Sequence, residues 1–507
     1  MVKKKEMSWS DRRPLQKAAS DGAADEANGT TLRWTIRMLL SSRLFVLVVQ
    51  AASNLLIPDH DADAFKSVPS ATRGGSAIDG LVERTLGGFA RWDAVHFLHI
   101  AQYGYTYENN LAFAPLFPFL LRYTTALWMA VVPPGWLQQR SALLITAYVI
   151  NVALFCAAGV LLHRLTLVMT KDKRLSAVVV ALFALNPASI FFSAAYSEGL
   201  FSCLTWLGLY LLYSDSTPPK GTIEAAFCFA LALLTRSNGL LNCGFIACAL
   251  IAQLFRAITT TRTNLKRFAV LSEFVRVSAF AFLTAFVVLL PCFYYMHSMY
   301  KEFCVRSSAS MTREVQLLAE VQNYVMPGQL DRLSWCNSAL PNFYSAVQSK
   351  YWNVRLFGYW MLRKVPCFLL ASPVLVIASL ASVKTITSWL SKYPSISLFL
   401  SDRRSTFPLV VHIVFMATFS LFFINVEVVT RLLFSSSPLL YWYIASILCD
   451  RLTMEQFSAE SLQEYSLFRI YRLFWSARGA VPKLIVLYFL GYTVLGTCLH
   501  ANFLPWT

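Results

Sequence analysis

Apolar runs of about twenty residues, separated by short basic segments, leave this chain few folds. Inside a bilayer only helices and closed barrels satisfy their own backbone, and a run of that length matches a helix crossing ~30 Å of hydrocarbon. Such runs fall near 36–56, 142–168, 176–195, 197–213, 223–236, 238–256, 277–299, 366–384, 408–424, 428–447 and 484–503. Only 14% of the 507 residues are charged, against about 25% in ordinary soluble domains. The expectation is an all-α polytopic membrane protein with about eleven (ten to twelve) transmembrane helices and lumenal juxtamembrane helices. One membrane domain is expected over 34–507, after a disordered cytoplasmic tail over 1–33.

The net charge of +17 comes from 44 Lys and Arg against 27 Asp and Glu. These cations cluster between apolar runs, at 171–174, 256–276, 384–404 and 451–483, the pattern of cytoplasmic loops rather than of nucleic-acid binding. Segments 57–110 and 300–362 then fall on the opposite side, giving lumenal loops of about 57–140 and 300–362. The hydrophilic start, with Lys3, Lys4, Lys5, Arg12, Arg13 and Lys17, shows no cleavable signal peptide, so the N-terminus is expected in the cytoplasm. Segment 112–132 is apolar enough to cross but carries Pro115 and Pro118, and reads as a juxtamembrane or re-entrant helix. The eleven cysteines show no C-x-x-C spacing, which removes the usual zinc and redox readings. If 300–362 is lumenal, Cys304 and Cys336 lie where a disulfide can form.

Residues 91–118 form a polar and aromatic island with Arg91, Trp92, Asp93, His96 and Glu108. Helical spacing puts Asp93, His96, Phe97 and Ile100 on one face of an amphipathic helix. A carboxylate there can take a proton from an attacking hydroxyl while aromatic rings pack on a sugar or an isoprenoid. The alternative is that Asp93 caps the helix and Trp92 anchors it at the interface. The run Asp59-His60-Asp61-Ala62-Asp63 offers metal-ligand types, but reads as a solvated acidic loop, and no metal or cofactor is expected.

Glu198, between two apolar runs, lines a cavity or sits in a lumenal turn. Thr235-Arg236-Ser237-Asn238-Gly239 breaks another run, and Arg236 suits a phosphate or Glu198 as partner; a hairpin turn with a snorkelling arginine is the alternative. Trp352, within the aromatic and basic segment 350–360, belongs either to a lid over a lipid phosphate or to a passive interfacial belt. Glu427 and Arg431 read as an i, i+4 pair, although intramembrane charge makes Arg431 a candidate for function. Walker A, G-x-G-x-x-G, G-x-S-x-G and H-E-x-x-H patterns do not occur.

At these residues the chain resembles the GPI mannosyltransferase 2 family of multipass enzymes of the endoplasmic reticulum. The matching stretches are IPDHDADAF (57–65), 91–122, NPASIFFSAAYSEGLFS (186–202), TRSNG (235–239), the 335–360 region, VEVVTRLLFSSSPLLYW (426–442) and NFLPWT (502–507). Arg355, where a glycine is expected, and the long hydrophilic start depart from the pattern. The resemblance implies a GT-C type glycosyltransferase bundle with a lumenal active site. It also implies transfer of the second mannose, α-1,6-linked, from dolichol-phosphate-mannose to the mannosyl-glucosaminyl-phosphatidylinositol precursor of the GPI anchor. The family's essential Trp-Asp pair falls on Trp92 and Asp93, which makes Asp93 the expected base of an inverting reaction. Arg236 is the first candidate for the donor phosphate, followed by Arg91 and His96. The substrate-binding set is then Arg91, Trp92, His96, Glu108, Glu198, Arg236, Asn238, Trp352 and Arg431. Expected partners are the donor, the GPI precursor glycolipid and the endoplasmic reticulum membrane, with a small accessory membrane subunit left open and nucleic acid excluded. The competing readings are another dolichol-phosphate-mannose-dependent transferase and a lipid-linked sugar transporter; the latter usually needs repeated halves, and none is evident.

Overall fold

A computed structural model describes residues 9–68, 75–214, 218–260, 266–305, 311–338, 341–393, 395, 401–402, 404–452 and 465–506; Lys3, Lys4, Lys5 and Arg403 lie outside them. The described residues contain helices and no strand. In chain order the helices are α1 (Trp9–Leu56), α2 (Ala77–Leu86), α3 (Asp93–Tyr103), α4 (Leu116–Met129), α5 (Gln139–Thr170), α6 (Lys173–Ala184), α7 (Glu198–Tyr213), α8 (Pro218–Leu233) and α9 (Cys243–Thr260). There follow α10 (Lys266–Tyr300), α11 (Arg313–Gln322), α12 (Phe343–Trp352), α13 (Val365–Lys392), α14 (Phe407–Phe422), α15 (Val429–Ser436), α16 (Pro438–Arg451), α17 (Leu467–Ser476) and α18 (Ala480–Ala501).

Every expected span falls at least partly on helix, but not every one is a full crossing. Among the described residues six helices are long and apolar enough to cross: Thr31–Leu56, Gln139–Thr170, Ser237–Thr259, Val270–Val305, Leu362–Lys392 and Ala480–Ala501. The pair Val426–Ser436 and Pro438–Arg451 passes the same test only together, bent by 79°, and makes a seventh if it is one broken span rather than a re-entrant loop; at the bend Pro438 cannot continue the hydrogen-bond ladder. The runs expected at 176–195, 197–213, 223–236 and 408–424 fall on α6, α7, α8 and α14, of 12, 16, 16 and 16 residues. The count of eleven is therefore reduced to six or seven full-length spans. The reason is local: polar or proline-bearing breaks at Asn186-Pro187 and Thr235-Arg236, which hydropathy averages over, end helices early. Helix α4 has 14 residues, about 21 Å at 1.5 Å per residue, too short to cross.

The breaks are built from specific chemistry. Asp172 caps α6 by accepting the Leu175 N–H at 3.0 Å, and Asn186 Oδ1 accepts the Ala188 N–H at 2.9 Å just beyond that helix. After α8 the chain turns so tightly that a Cβ at Gly239 would lie 2.6 Å from the Leu233 backbone nitrogen, so only glycine fits. In the core, α5 packs on α6 and α7, α7 on α8, and α1 on α18.

The two polar stretches pack on each other. A disulfide joins Cys304 to Cys336, with Cα atoms 5.7 Å apart. Beside it, Trp335 donates its indole N–H to Glu108 across 3.1 Å.

Candidate active site

Asp93 opens α3 behind a constrained residue. Trp92 has φ 55°, a left-handed conformation that costs a bulky residue about 1–3 kcal/mol and recurs at functional sites. Its ring packs edge-on against Phe503 at 5.8 Å. The Asp93 N–H donates to the Tyr196 hydroxyl at 3.1 Å, and the N-cap residue Trp92 makes no side-chain capping bond. The Asp93 carboxylate instead reaches Arg431, with Oδ2 2.8 Å from Nη1. Burial opposes its charged form, yet the Arg431 guanidinium, with smaller contributions from His96 and Arg236, holds the carboxyl below its usual range.

Arg431 is also 3.7 Å from Glu198 Oε1, and Arg236 Nη1 lies 2.5 Å from that same oxygen. Two carboxylates and two guanidiniums thus run in the order Asp93, Arg431, Glu198, Arg236. The Glu198 side chain is fully buried, whereas 27% of the Asp93 side chain is exposed. The Arg431 guanidinium lies 5.2 Å from the Phe191 ring and 5.5 Å from the Tyr196 ring, within cation–π range. Buried atoms in the cluster have no hydrogen-bond partner among the described residues: Glu198 Oε2 and Nε of Arg236 and Arg431; the same holds for Nδ2 of Asn238, two residues after Arg236. Helix breaks make the meeting possible. Glu198 starts α7 after the 185–197 turn, Arg236 is the extended residue after α8, and Arg431 sits on the short α15 before its bend.

The other expected site residues are engaged around this cluster. Arg91 contacts Asp59 at 3.0 Å and Asn54 at 3.1 Å, and its guanidinium lies over Phe503. His96 is stacked between Phe65 and Phe113, with ring centroids 4.0 and 4.3 Å away, and bonded to Asn110 at 3.0 Å. Burial pushes its pKa down to about 4, so the imidazole is neutral at neutral pH. The Trp352 ring lies 6.1 Å from His96 and 5.9 Å from Phe113. Glu108 does not join the cluster: besides Trp335 it meets Lys350 Nζ at 2.5 Å and the Tyr351 hydroxyl at 2.8 Å.

Two expectations are corrected. Helix α3 is not an amphipathic surface helix, since every residue from Ala94 to Ala101 is buried; loops and α5 cover the face expected to be wet. Glu427 and Arg431 do not pair as i, i+4. Val426–Val428 is a 3-10 turn and the α-helix starts only at Val429, so the two side chains diverge. Glu427 instead meets Lys364 at 3.2 Å and Cys367 at 2.9 Å, and accepts from the Tyr359 hydroxyl.

Three supporting residues were missed. Tyr196, two residues before Glu198, accepts the Asp93 N–H. Asn151 donates to the Ala194 and Tyr196 carbonyls at 2.5 and 3.0 Å and fixes the turn before Glu198. Arg43, buried in α1, donates to the Ala184 and Ser189 carbonyls and to the Ser42, Ser189 and Ser193 hydroxyls. A charge in the middle of the first apolar run was a readable signal for it.

Among the described residues no group of three or more His, Cys, Asp or Glu could hold a metal. A carboxylate with solvent access beside two guanidiniums is suited to accept a proton where an anion is bound.

Comparison with solved structures finds archaeal oligosaccharyltransferase AglB from Archaeoglobus fulgidus, at TM-score 0.43 and 15% identity, covering 92% of this chain and 56% of that one. ArnT from Cupriavidus metallidurans follows at TM-score 0.40 and 14% identity, covering 91% and 77%. Both likenesses are too distant to argue from. Sequence relatives are much nearer. GPI alpha-1,6-mannosyltransferase 2 of Rattus norvegicus is 36% identical over 93% of this chain and 98% of its own length. The Homo sapiens protein of the same name is 34% identical with the same coverage, and GPI mannosyltransferase 2 of Drosophila melanogaster is 31% identical over 93% and 99%. Residues 33–507, which include the whole charged cluster, match the family described as Mannosyltransferase (PIG-V), and the chain belongs to that family.

Proposed function

We propose that this membrane-embedded mannosyltransferase adds the second mannose of the GPI anchor. In this reading the mannosyl group passes from dolichol-phosphate-mannose to the 6-hydroxyl of the mannosyl-glucosaminyl-phosphatidylinositol precursor, on the lumenal side of the endoplasmic reticulum membrane. The observation that carries it is the partly exposed Asp93 carboxylate 2.8 Å from Arg431. A β-mannosyl phosphate yields an α product only if the hydroxyl attacks C1 from the face opposite the phosphate. Asp93 takes the hydroxyl proton as the new bond forms. The C1–O bond breaks, its electron pair leaves with dolichyl phosphate, and the guanidiniums stabilise the charge that develops there. The leaving group is already a phosphate, so the reaction needs no metal to activate it, and transfer should survive a chelator.

The test uses microsomes from cells lacking this activity, supplemented with the wild-type chain or with Asp93→Asn, which keeps the shape and removes the base. Wild type should restore the second mannose, while the variant, at normal abundance, should accumulate the one-mannose intermediate. Restoration by both rejects Asp93 as the base. Radioactive transfer by the purified chain separates an enzyme from a transporter and shows whether an accessory subunit is needed.

A further inference from the structure

We infer that Arg431 is a shared cation handed from Asp93 to the phosphate of the lipid-linked sugar, so that donor binding itself frees the base. The inference rests on the donor and the base proposed above. Its starting point is a conflict in the resting site. A carboxylate bonded to a guanidinium at 2.8 Å has its charge stabilised and is a poor acceptor for a hydroxyl proton. A base in that state needs its partner drawn away before it acts.

The geometry lets Arg431 change anions without being left bare. Its guanidinium lies beside the edge-packed pair Phe191 and Tyr196, 5.2 and 5.5 Å from their ring centroids, and those rings favour a cation whichever anion it meets. Glu198, 3.7 Å away, supplies a fixed buried negative charge that does not leave with the substrate. Arg431 Nε and Arg236 Nε are buried with no hydrogen-bond partner among the described residues, so each guanidinium has a donor uncommitted in the resting cluster. A phosphodiester has the oxygens to take them, and arginine favours such forked contacts.

The charges balance through the step. At rest Asp93 and Glu198 offset Arg236 and Arg431. The incoming diester adds one negative charge and takes Arg431, leaving Asp93 charged and unpaired. The acceptor oxygen then bonds to C1, its proton goes to Asp93, and the departing phosphate keeps the electron pair and gains the negative charge that Asp93 loses. Until a donor is bound, Asp93 stays paired with Arg431 and is not free to take up a proton.

Competition for one cation is measurable without catalysis. Purified full-length wild type, Asp93→Asn, Arg431→Gln and Arg431→Lys, each checked for monodisperse elution in detergent, are titrated with dolichyl phosphate. Removing the Asp93 charge should tighten binding by about fivefold or more, the low end of ordinary coupling between sites. Arg431→Gln should weaken binding, and Arg431→Lys should recover part of it; the lysine variant also serves if glutamine prevents folding. Equal or weaker binding by Asp93→Asn, with wild-type transfer from the donor intact, overturns the handover alone. No binding by any variant, with no transfer from dolichol-phosphate-mannose, overturns the donor reading and the handover with it.

Discussion

Glu198 and Glu108 are both buried carboxylates paired to cations, yet their surroundings differ in kind. Glu108 is finished: one oxygen accepts from Trp335, and the other from Lys350 and Tyr351. Glu198 has one oxygen facing two arginines and another with no partner among the described residues. Folding alone rewards the first arrangement, because a buried polar group without a partner costs about 1–3 kcal/mol. Loose ends beside Asp93 are what a site looks like when its remaining partners arrive with substrate. Glu108 therefore reads as the clamp between the two polar stretches, and the Asp93–Arg431–Glu198–Arg236 string as the place of reaction.

The largest expected effect separates the two regions outright. Asp93→Asn should lower mannose transfer by about 10²–10⁴-fold, the usual worth of a positioned base, with abundance close to wild type and a melting temperature lowered only by the loss of the Arg431 pair. A variant that melts early instead would make Asp93 a structural residue and erase the contrast. Cutting the Cys304–Cys336 bridge, which closes a separation of 32 residues, with Cys304→Ser should cost the second polar stretch about 4 kcal/mol on the chain-entropy view; limited proteolysis of 311–338 reads it. Glu108→Gln should destabilise by about 2 kcal/mol through weakened charged hydrogen bonds, discounted because the Lys350 side chain is 43% exposed. The Glu108→Gln protein that survives should transfer mannose within a few-fold of wild type. A collapse in its specific activity would mean that the clamp takes part in the reaction.

Acid provides the mildest probe. His96 is lowered to about 4 and His99 to about 3 by burial, so in the folded chain both stay neutral where the unfolded chain takes up protons. Below the ordinary value near 6.5 the unfolded state binds more protons, and stability falls as the pH drops from about 6.5 towards 4. The loss between pH 7 and 5 should be about 2 kcal/mol for His96. His96→Phe, which keeps a ring between Phe65 and Phe113, should shrink the pH-dependent fall in melting temperature. The lowered Asp93 acts in the opposite region, since its contribution is lost only below the ordinary carboxylate range, so the two effects do not overlap.

How much of this was legible follows from what each interaction depends on. Asp93 stood out in the polar island, Glu198, Arg236 and Asn238 at breaks in apolar runs and Arg431 as an intramembrane charge, and the fold brings the four charged residues to one place. Their pairing was not legible, because Asp93 and Arg431 are brought together by the packing of helices far apart in the chain. Periodicity sees neighbours within a helix, and it misled at Glu427 and Arg431, where a 3-10 turn interrupts the register. The helical class was plain from hydropathy. The number of full spans was not, since windows wide enough to find a crossing pass over a proline or asparagine that ends a helix. The role of Glu108 was hidden for another reason: its partners Trp335, Lys350 and Tyr351 belong to a stretch whose aromatic residues fitted a lid or an interfacial belt equally well.

The buried Arg43 has a consequence for how the chain is made. It lies midway along Thr31–Leu56, and all five of its N–H donors end on residues between 184 and 193 or on its neighbour Ser42. During synthesis those partners emerge some 140 residues after the arginine, so the first helix meets the bilayer with an unmatched charge that costs about 2.5–3.5 kcal/mol at its centre. Until the end of α6 and the turn after it are delivered, α1 carries a charge without its final partners, and its seat depends on a segment the ribosome has yet to translate.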